Sequence, residues 1–110
     1  MSEQTWLSVP EVAERLGVTP TKVRQFVEER QLAGSRKTGV FLIPEILVDP
    51  ERLMKDLPGT LTVLIDGGFS DDDALEWLLG NHEVLAVSPV EALRLGKKAE
   101  VRRLAQALAV

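Results

Sequence analysis

Thr21, Lys22, Arg24 and Gln25 fall within five consecutive positions, and Arg36, Lys37 and Thr38 follow a short way further on. Every one of these side chains can donate a hydrogen bond. Arginine forks and lysine ammoniums pair with phosphate oxygens and with the acceptor edge of guanine, and glutamine pairs with adenine, so the chemistry on offer is recognition of nucleic acid rather than bond making. Any one of the cations alone reads as an ordinary solvated charge. Their local concentration carries the argument: residues 20 to 40 hold five cations against two acids, whereas residues 41 to 110 hold seven cations against twelve acids, in a chain of net charge -4. A uniformly acidic chain repels polyanions, but here the positive footprint is confined to one stretch.

Two short helices and a turn are needed to present that footprint, and the sequence supplies them. Ser8-Val9-Pro10-Glu11 fits a capping box, after which Val9, Val12, Ala13 and Leu16 form one apolar stripe that Gly17 ends. Leu7 is placed to staple onto Val12 across the cap. Thr19 is then a good cap and Pro20 a good first residue for a second helix over 20–30, because proline's fixed φ suits a first turn whose N–H groups lack partners anyway. Val23, Phe26 and Val27 face inward on it, which leaves Thr21, Lys22, Arg24 and Gln25 on the flanks. Two helices joined by a glycine-containing turn form a helix-turn-helix, whose second helix enters the major groove of DNA. Leu32 to Ser35 and Val40 to Ile43 then flank Arg36-Lys37-Thr38-Gly39, a hairpin pattern that makes 32–43 a wing.

The second half reads mainly as helices. Asp49 or Pro50 is placed to open a short helix through Arg52, Leu53, Met54 and Leu57 that closes on Pro58-Gly59. Leu61 to Ile65 suits a buried strand, or a buried helix capped by Thr60 and stopped by Gly67, and periodicity does not separate the two. Ser70 opens a helix with three acids at its positive dipole end and Ala74, Trp77 and Leu78 on its apolar face. Ser88-Pro89-Val90-Glu91 is a second capping box, and Val101, Leu104, Ala105 and Leu108 form the last apolar stripe. Trp6 and Trp77 read as core anchors.

At 110 residues and 45% hydrophobic the chain is expected to fold as one compact unit, since two independent domains of that size are each marginal. With no cysteine there is neither a disulfide framework nor a thiolate metal site. No apolar run spans a bilayer and the N-terminus lacks a signal pattern, so the expected location is cytoplasmic. His82 is the single histidine and lacks partners for a zinc site. Asp71, Asp72, Asp73 and Glu76 lack the glycine and terminal glutamate of a calcium loop. No metal, cofactor or catalytic constellation is expected. Arg94, Lys97, Lys98, Arg102 and Arg103 form a second cationic cluster, read either as a further backbone contact or as charges complementing a helix end.

Trp6 through Pro44 resembles the winged helix-turn-helix of the MerR and excisionase type. Together with Leu57-Pro58-Gly59-Thr60, Gly67-Gly68, Trp77-Leu78 and Ser88-Pro89, the chain resembles actinobacterial small DNA-binding proteins that attach a helical C-terminal region to such a module. The resemblance implies a helix over the ambiguous 60–66 segment and a regulatory or nucleoid-associated role on double-stranded DNA. Carried onto this chain, the reading helix falls on Thr21, Lys22, Arg24 and Gln25 and the wing on Arg36, Lys37 and Thr38. The C-terminal segment also resembles, more weakly, the region with which Xre-type antitoxins hold a protein partner.

The expected architecture is therefore mainly α with a small two-stranded β wing. It comprises a tail over 1–5, a winged helix-turn-helix over 6–57 and a C-terminal helical region over 58–110. The expected activity is non-enzymatic binding of double-stranded DNA, with a protein partner through residues 58–110 as the alternative. Ser2 and Thr5 in the tail are candidate sites for a Ser/Thr kinase, because a phosphate there adds about -1.5 to -2 charge near the basic face.

Overall fold

Ser8 decides where the first helix starts. In the computed structural model, which describes residues 5–48 and 54–108, the Ser8 hydroxyl accepts from the Glu11 amide at 3.3 Å, and Glu11 Oε1 accepts from the Ser8 amide at 2.9 Å. The helix that follows, α1 (Val9–Leu16), ends on Gly17 at φ 69°, where the Val18 amide reaches back to the Ala13 carbonyl at 3.0 Å. A glycine takes that left-handed conformation without the steric cost of a Cβ. Thr19 then caps α2 (Pro20–Glu28), its hydroxyl accepting from the Lys22 amide at 3.1 Å.

α2 stops two residues short of the expected end at residue 30. The Gln31 amide bonds the Phe26 carbonyl at 2.8 Å and the Arg30 amide bonds Val27 at 3.0 Å, with Arg30 itself at φ 61°. Holding a residue other than glycine there costs about 1–2 kcal/mol. The turn offsets this by delivering Leu32 into the core, where it is 1% exposed, and burying a leucine contributes about 1.5–3 kcal/mol.

The sheet is not the hairpin expected from the sequence. β1 (Trp6–Ser8) pairs antiparallel with β2 (Leu42–Pro44), placing Leu7 opposite Ile43 and Ser8 opposite Leu42. The expected first arm, 32–35, contributes a single bridge: the Ser35 and Leu42 amides and carbonyls exchange hydrogen bonds of 2.9 Å each. Leu7 and Ile43 are both buried, so this pairing stabilises an apolar cross-strand contact, which Ala33 and Gly34 lack the side chains to match. A 3-10 turn, Glu45–Leu47, follows β2 and buries Leu47 and Val48.

Among the described residues, the regular elements of the second half are all helices. α3 (Leu57–Asp66) resolves the strand-or-helix ambiguity and starts three residues ahead of the proposed Thr60 cap. Pro58 is acceptable in its first turn, where its missing N–H has no partner to lose. Thr60 lies inside α3, fully buried, and its hydroxyl donates to the Asp56 carbonyl at 2.8 Å. Residues 49–53 of the helix expected before Leu57 lie outside the described residues; Met54 to Asp56 are not helical. α4 (Asp71–Leu79) and α5 (Pro89–Arg94) start where expected, with Ser70 and Ser88 accepting from the Asp73 and Glu91 amides, and α6 (Lys98–Ala107) carries the last apolar stripe. Neither tryptophan is a core anchor. Trp6 is 37% exposed and Trp77 half-buried, because Leu75 takes the inward place on α4.

Contacts divide the chain into two compact units, Met1–Lys55 and Asp56–Val110, where a single one is expected from length. Each buries its own apolar set: Leu7, Val12, Val23, Leu32, Ile43 and Leu47 in the first, and Leu57, Leu64, Leu75, Leu78, Val90 and Val101 in the second. Leu57, assigned by the sequence to the first domain, opens α3 in the second unit.

Two glycines separate close packing from mere flexibility. A Cβ on Gly34 meets the Leu42 carbonyl oxygen at 2.5 Å and the Phe41 ring at 2.6 Å, whereas one on Gly59 meets the guanidinium end of Arg102, which can swing aside at the cost of its hydrogen bond to Asp56. Gly34→Ala is expected to lower the stability of the first unit by about 1–3 kcal/mol, and Gly59→Ala to cost far less, both read by urea unfolding. Equal losses contradict the packing described. Glu11 adds a pH dependence. Hydrogen bonds from the Ser8 backbone, then its hydroxyl, hold the Glu11 carboxyl below its usual range against the opposing effect of desolvation, with the charge of Arg15 contributing least. The stabilisation is present above the unfolded value and fades as pH falls through the lowered folded value. Glu11→Gln should therefore flatten the fall in stability between about pH 5 and pH 3, and an unaltered slope contradicts the box.

Candidate nucleic-acid interface

Val23 is fully buried and fixes the rotation of α2. Thr21, Lys22, Arg24 and Gln25 are consequently all exposed, as the sequence requires of a reading helix. They do not share one flank. Lys22 Nζ lies 5.2 Å from the centre of the Phe26 ring and donates to Gln25 Oε1 at 3.4 Å, and Gln25 Nε2 donates to Glu29 Oε2 at 3.3 Å. That chain runs along one side of the helix. Arg24 turns to the other side, into a groove of about 430 Å³.

The groove has walls from three segments. α2 contributes Arg24, Val27 and Glu28; the loop after it contributes Arg36, Val40 and Phe41; the start of α1 contributes Ser8, Val9 and Pro10. Arg36 is oriented by its own loop, its Cζ lying 5.3 Å from the centre of the Phe41 ring. A guanidinium stacked on an aromatic face keeps its donors free at the rim. The tip is a tight turn in which the Gly39 amide bonds the Arg36 carbonyl at 2.8 Å, with Gly39 at φ 94°, and the Lys37 amide bonds the Ser35 hydroxyl at 3.1 Å. Lys37 and Thr38 are exposed there, and Val40 is 60% exposed beside them.

The structure thus brings Arg24 and Arg36 onto one groove and leaves Lys22 and Gln25 on the opposite flank of α2. Sequence reasoning missed Glu28, Val40 and Phe41 as members of this groove. The one signal for Glu28 was its spacing of four from Arg24, which puts both on one helix face.

Other predicted positions are placed as follows. Thr5 is exposed, and its carbonyl accepts from the Glu45 amide at 2.7 Å; Ser2 lies outside the described residues. His82 Nδ1 accepts from the Val84 amide at 3.2 Å, and its ring meets Trp77 edge-on at 6.2 Å. Arg102 turns inward, its Nε donating to the Thr60 hydroxyl and a terminal nitrogen to the Asp56 carbonyl, both at 3.4 Å, and Lys98 lies 3.9 Å from Asp56. The second cationic cluster is therefore partly spent on holding α6 to the start of α3. Among the described residues no group of acids and His82 is arranged to hold a metal ion, and no helix is long and apolar enough to cross a membrane.

Comparison with known proteins follows the same division. Residues 1–48 match the family described as DNA-binding protein Rv2175c, wHTH domain, and residues 54–109 match the Rv2175c C-terminal domain of unknown function. The chain belongs to the Rv2175c family. DNA-binding protein Rv2175c of Mycobacterium tuberculosis is 36% identical over 114 residues, covering 92% of this chain and 78% of that protein. The NMR structure of Rv2175c superposes with a TM-score of 0.84 at 33% identity, covering all of this chain and 84% of the other. The winged module of that family is the unit that holds the groove.

The loop carrying Arg36 is fastened by one bridge, which gives a local signature. In hydrogen exchange the Ser35 and Leu42 amides are expected to be protected, and the Thr38 and Val40 amides to exchange quickly. Uniform protection from 35 to 42 indicates a full hairpin and contradicts the single-bridge loop.

Proposed function

We propose that this chain binds double-stranded DNA, with α2 in the major groove and the loop around Arg36, Lys37 and Thr38 against flanking phosphates. One observation carries the reading: two arginines from separate segments line a single groove beside an exposed, donor-rich helix start. Helix-turn-helix modules place the N-terminal residues of the second helix nearest the base edges, and Thr21, Lys22, Arg24 and Gln25 occupy that end of α2. The backbone contacts position the protein; the helix contacts carry sequence information. The role is recognition without catalysis, in transcription regulation or in nucleoid organisation within the cytoplasm.

Five or so neutralised phosphates give a log-log salt dependence of roughly -4 to -5, a modest value for a single copy. Lys22→Ala with Arg24→Ala is expected to abolish a gel shift on duplex DNA with the circular dichroism unchanged. Arg36→Ala with Lys37→Ala should weaken binding alike on all sequences and lower the salt slope by about two. A wild-type chain that shifts no duplex at low salt excludes this reading. It favours the second one, a protein partner on residues 58–110, where Val84 is 74% and Leu95 66% exposed. A phosphate on Ser2 or Thr5 weakens DNA binding on this account, and a Thr5→Glu chain of undiminished affinity excludes that control for Thr5.

A further inference from the structure

Glu28 is an unexpected member of a groove proposed to hold a polyanion. It projects one turn beyond Arg24 on the same face of α2, and with Arg24 and Arg36 it lines the groove. Among the described residues no hydrogen bond or ion pair engages its carboxylate, nor the guanidinium of Arg24. The order arginine then glutamate is the less favourable one for a pair four residues apart, so each group is left for an external partner. An acid at this place weakens attraction to phosphate. In a chain of net charge -4 that repulsion reads as a device against the wrong ligand, since specificity is a difference of affinities and is sharpened by building in repulsion.

The edges of the bases define the right ligand. In the major groove only cytosine, through N4, and adenine, through N6, present an amino donor, whereas the exposed polar atoms of guanine and thymine there are acceptors. A carboxylate only accepts. We propose that Glu28 selects a base carrying an exocyclic amine and rejects guanine and thymine, while Arg24 donates to a guanine nearby. The inference rests on the DNA-binding reading above. Four residues advance a helix by about 6 Å, so the amine-bearing base is expected at a position separate from the base pair that depends on Arg24.

Selection of the full-length protein against randomised duplexes tests this, using wild type, Glu28→Ala, Glu28→Gln and Arg24→Ala. Wild type should enrich cytosine or adenine at one position, and which of the two it enriches identifies the base. Glu28→Ala should lose preference there alone, with discrimination falling about 5- to 100-fold, and should bind an unrelated duplex at least as tightly as wild type. Glu28→Gln should favour adenine, because a carboxamide pairs with both N6 and N7. An unchanged selected sequence in Glu28→Ala overturns the assignment, and so does an equal loss on every duplex, which marks a structural role. Failure of wild type itself to bind any duplex refutes the DNA-binding reading as well, whereas selection by wild type with an Arg24-dependent guanine but no Glu28-dependent base refutes the inference alone.

Discussion

Leu42 is the residue on which the first unit turns. Its backbone exchanges two hydrogen bonds with Ser35, which closes the loop bearing Arg36 and Lys37, and it lies opposite Ser8, the cap from which α1 begins. One three-residue strand therefore ties the loop to the start of the helix pair. Gly34 is part of the same constraint, because the chain passes the Leu42 carbonyl too closely for a side chain. Without that double pairing the loop is not held beside α2, and the groove loses the wall that carries Arg36.

The electrostatics follow from this geometry more than from net charge. An acidic chain engages a polyanion through cations gathered at one place, since screening confines a surface charge to about 10 Å at ordinary salt. The two arginines gathered at the groove come from α2 and from the loop. Other charges are committed to structure: Arg15 pairs with Glu45 at 2.7 Å, and Arg102 bonds Thr60 and Asp56. The Arg15 pair is about half exposed, so it contributes little stability. Arg102 is better placed, since it shares a fully buried hydroxyl whose lone pairs need partners in the interior.

What the sequence made legible was local. Ser8, Thr19, Ser70 and Ser88 cap helices through atoms three residues away, so spacing alone identifies them, and Gly17 and Gly39 supply left-handed turns where the pattern requires them. The misreadings are non-local. β1 is too short to show a period and finds its partner far along the chain, so the sheet was assigned to the adjacent run 32–35 instead. α3 begins without a side-chain cap on Asp56, and its true start was hidden behind Pro58-Gly59. Trp77 loses its expected place to Leu75 by a choice of helix rotation that a single amphipathic stripe does not fix. The candidate site divides the same way: the exposed donors of α2 follow from Val23, whereas the groove that joins Arg24, Glu28 and Arg36 depends on the tertiary closure at Leu42.

The most direct measurement is an amide chemical-shift titration of the labelled full-length protein with duplex DNA. The account predicts that amides of residues 20–28 and 35–41 shift together along one saturable curve while those of α3 to α6 stay still. Shifts confined to residues 57–107, with α2 and the Arg36 loop unmoved, contradict it.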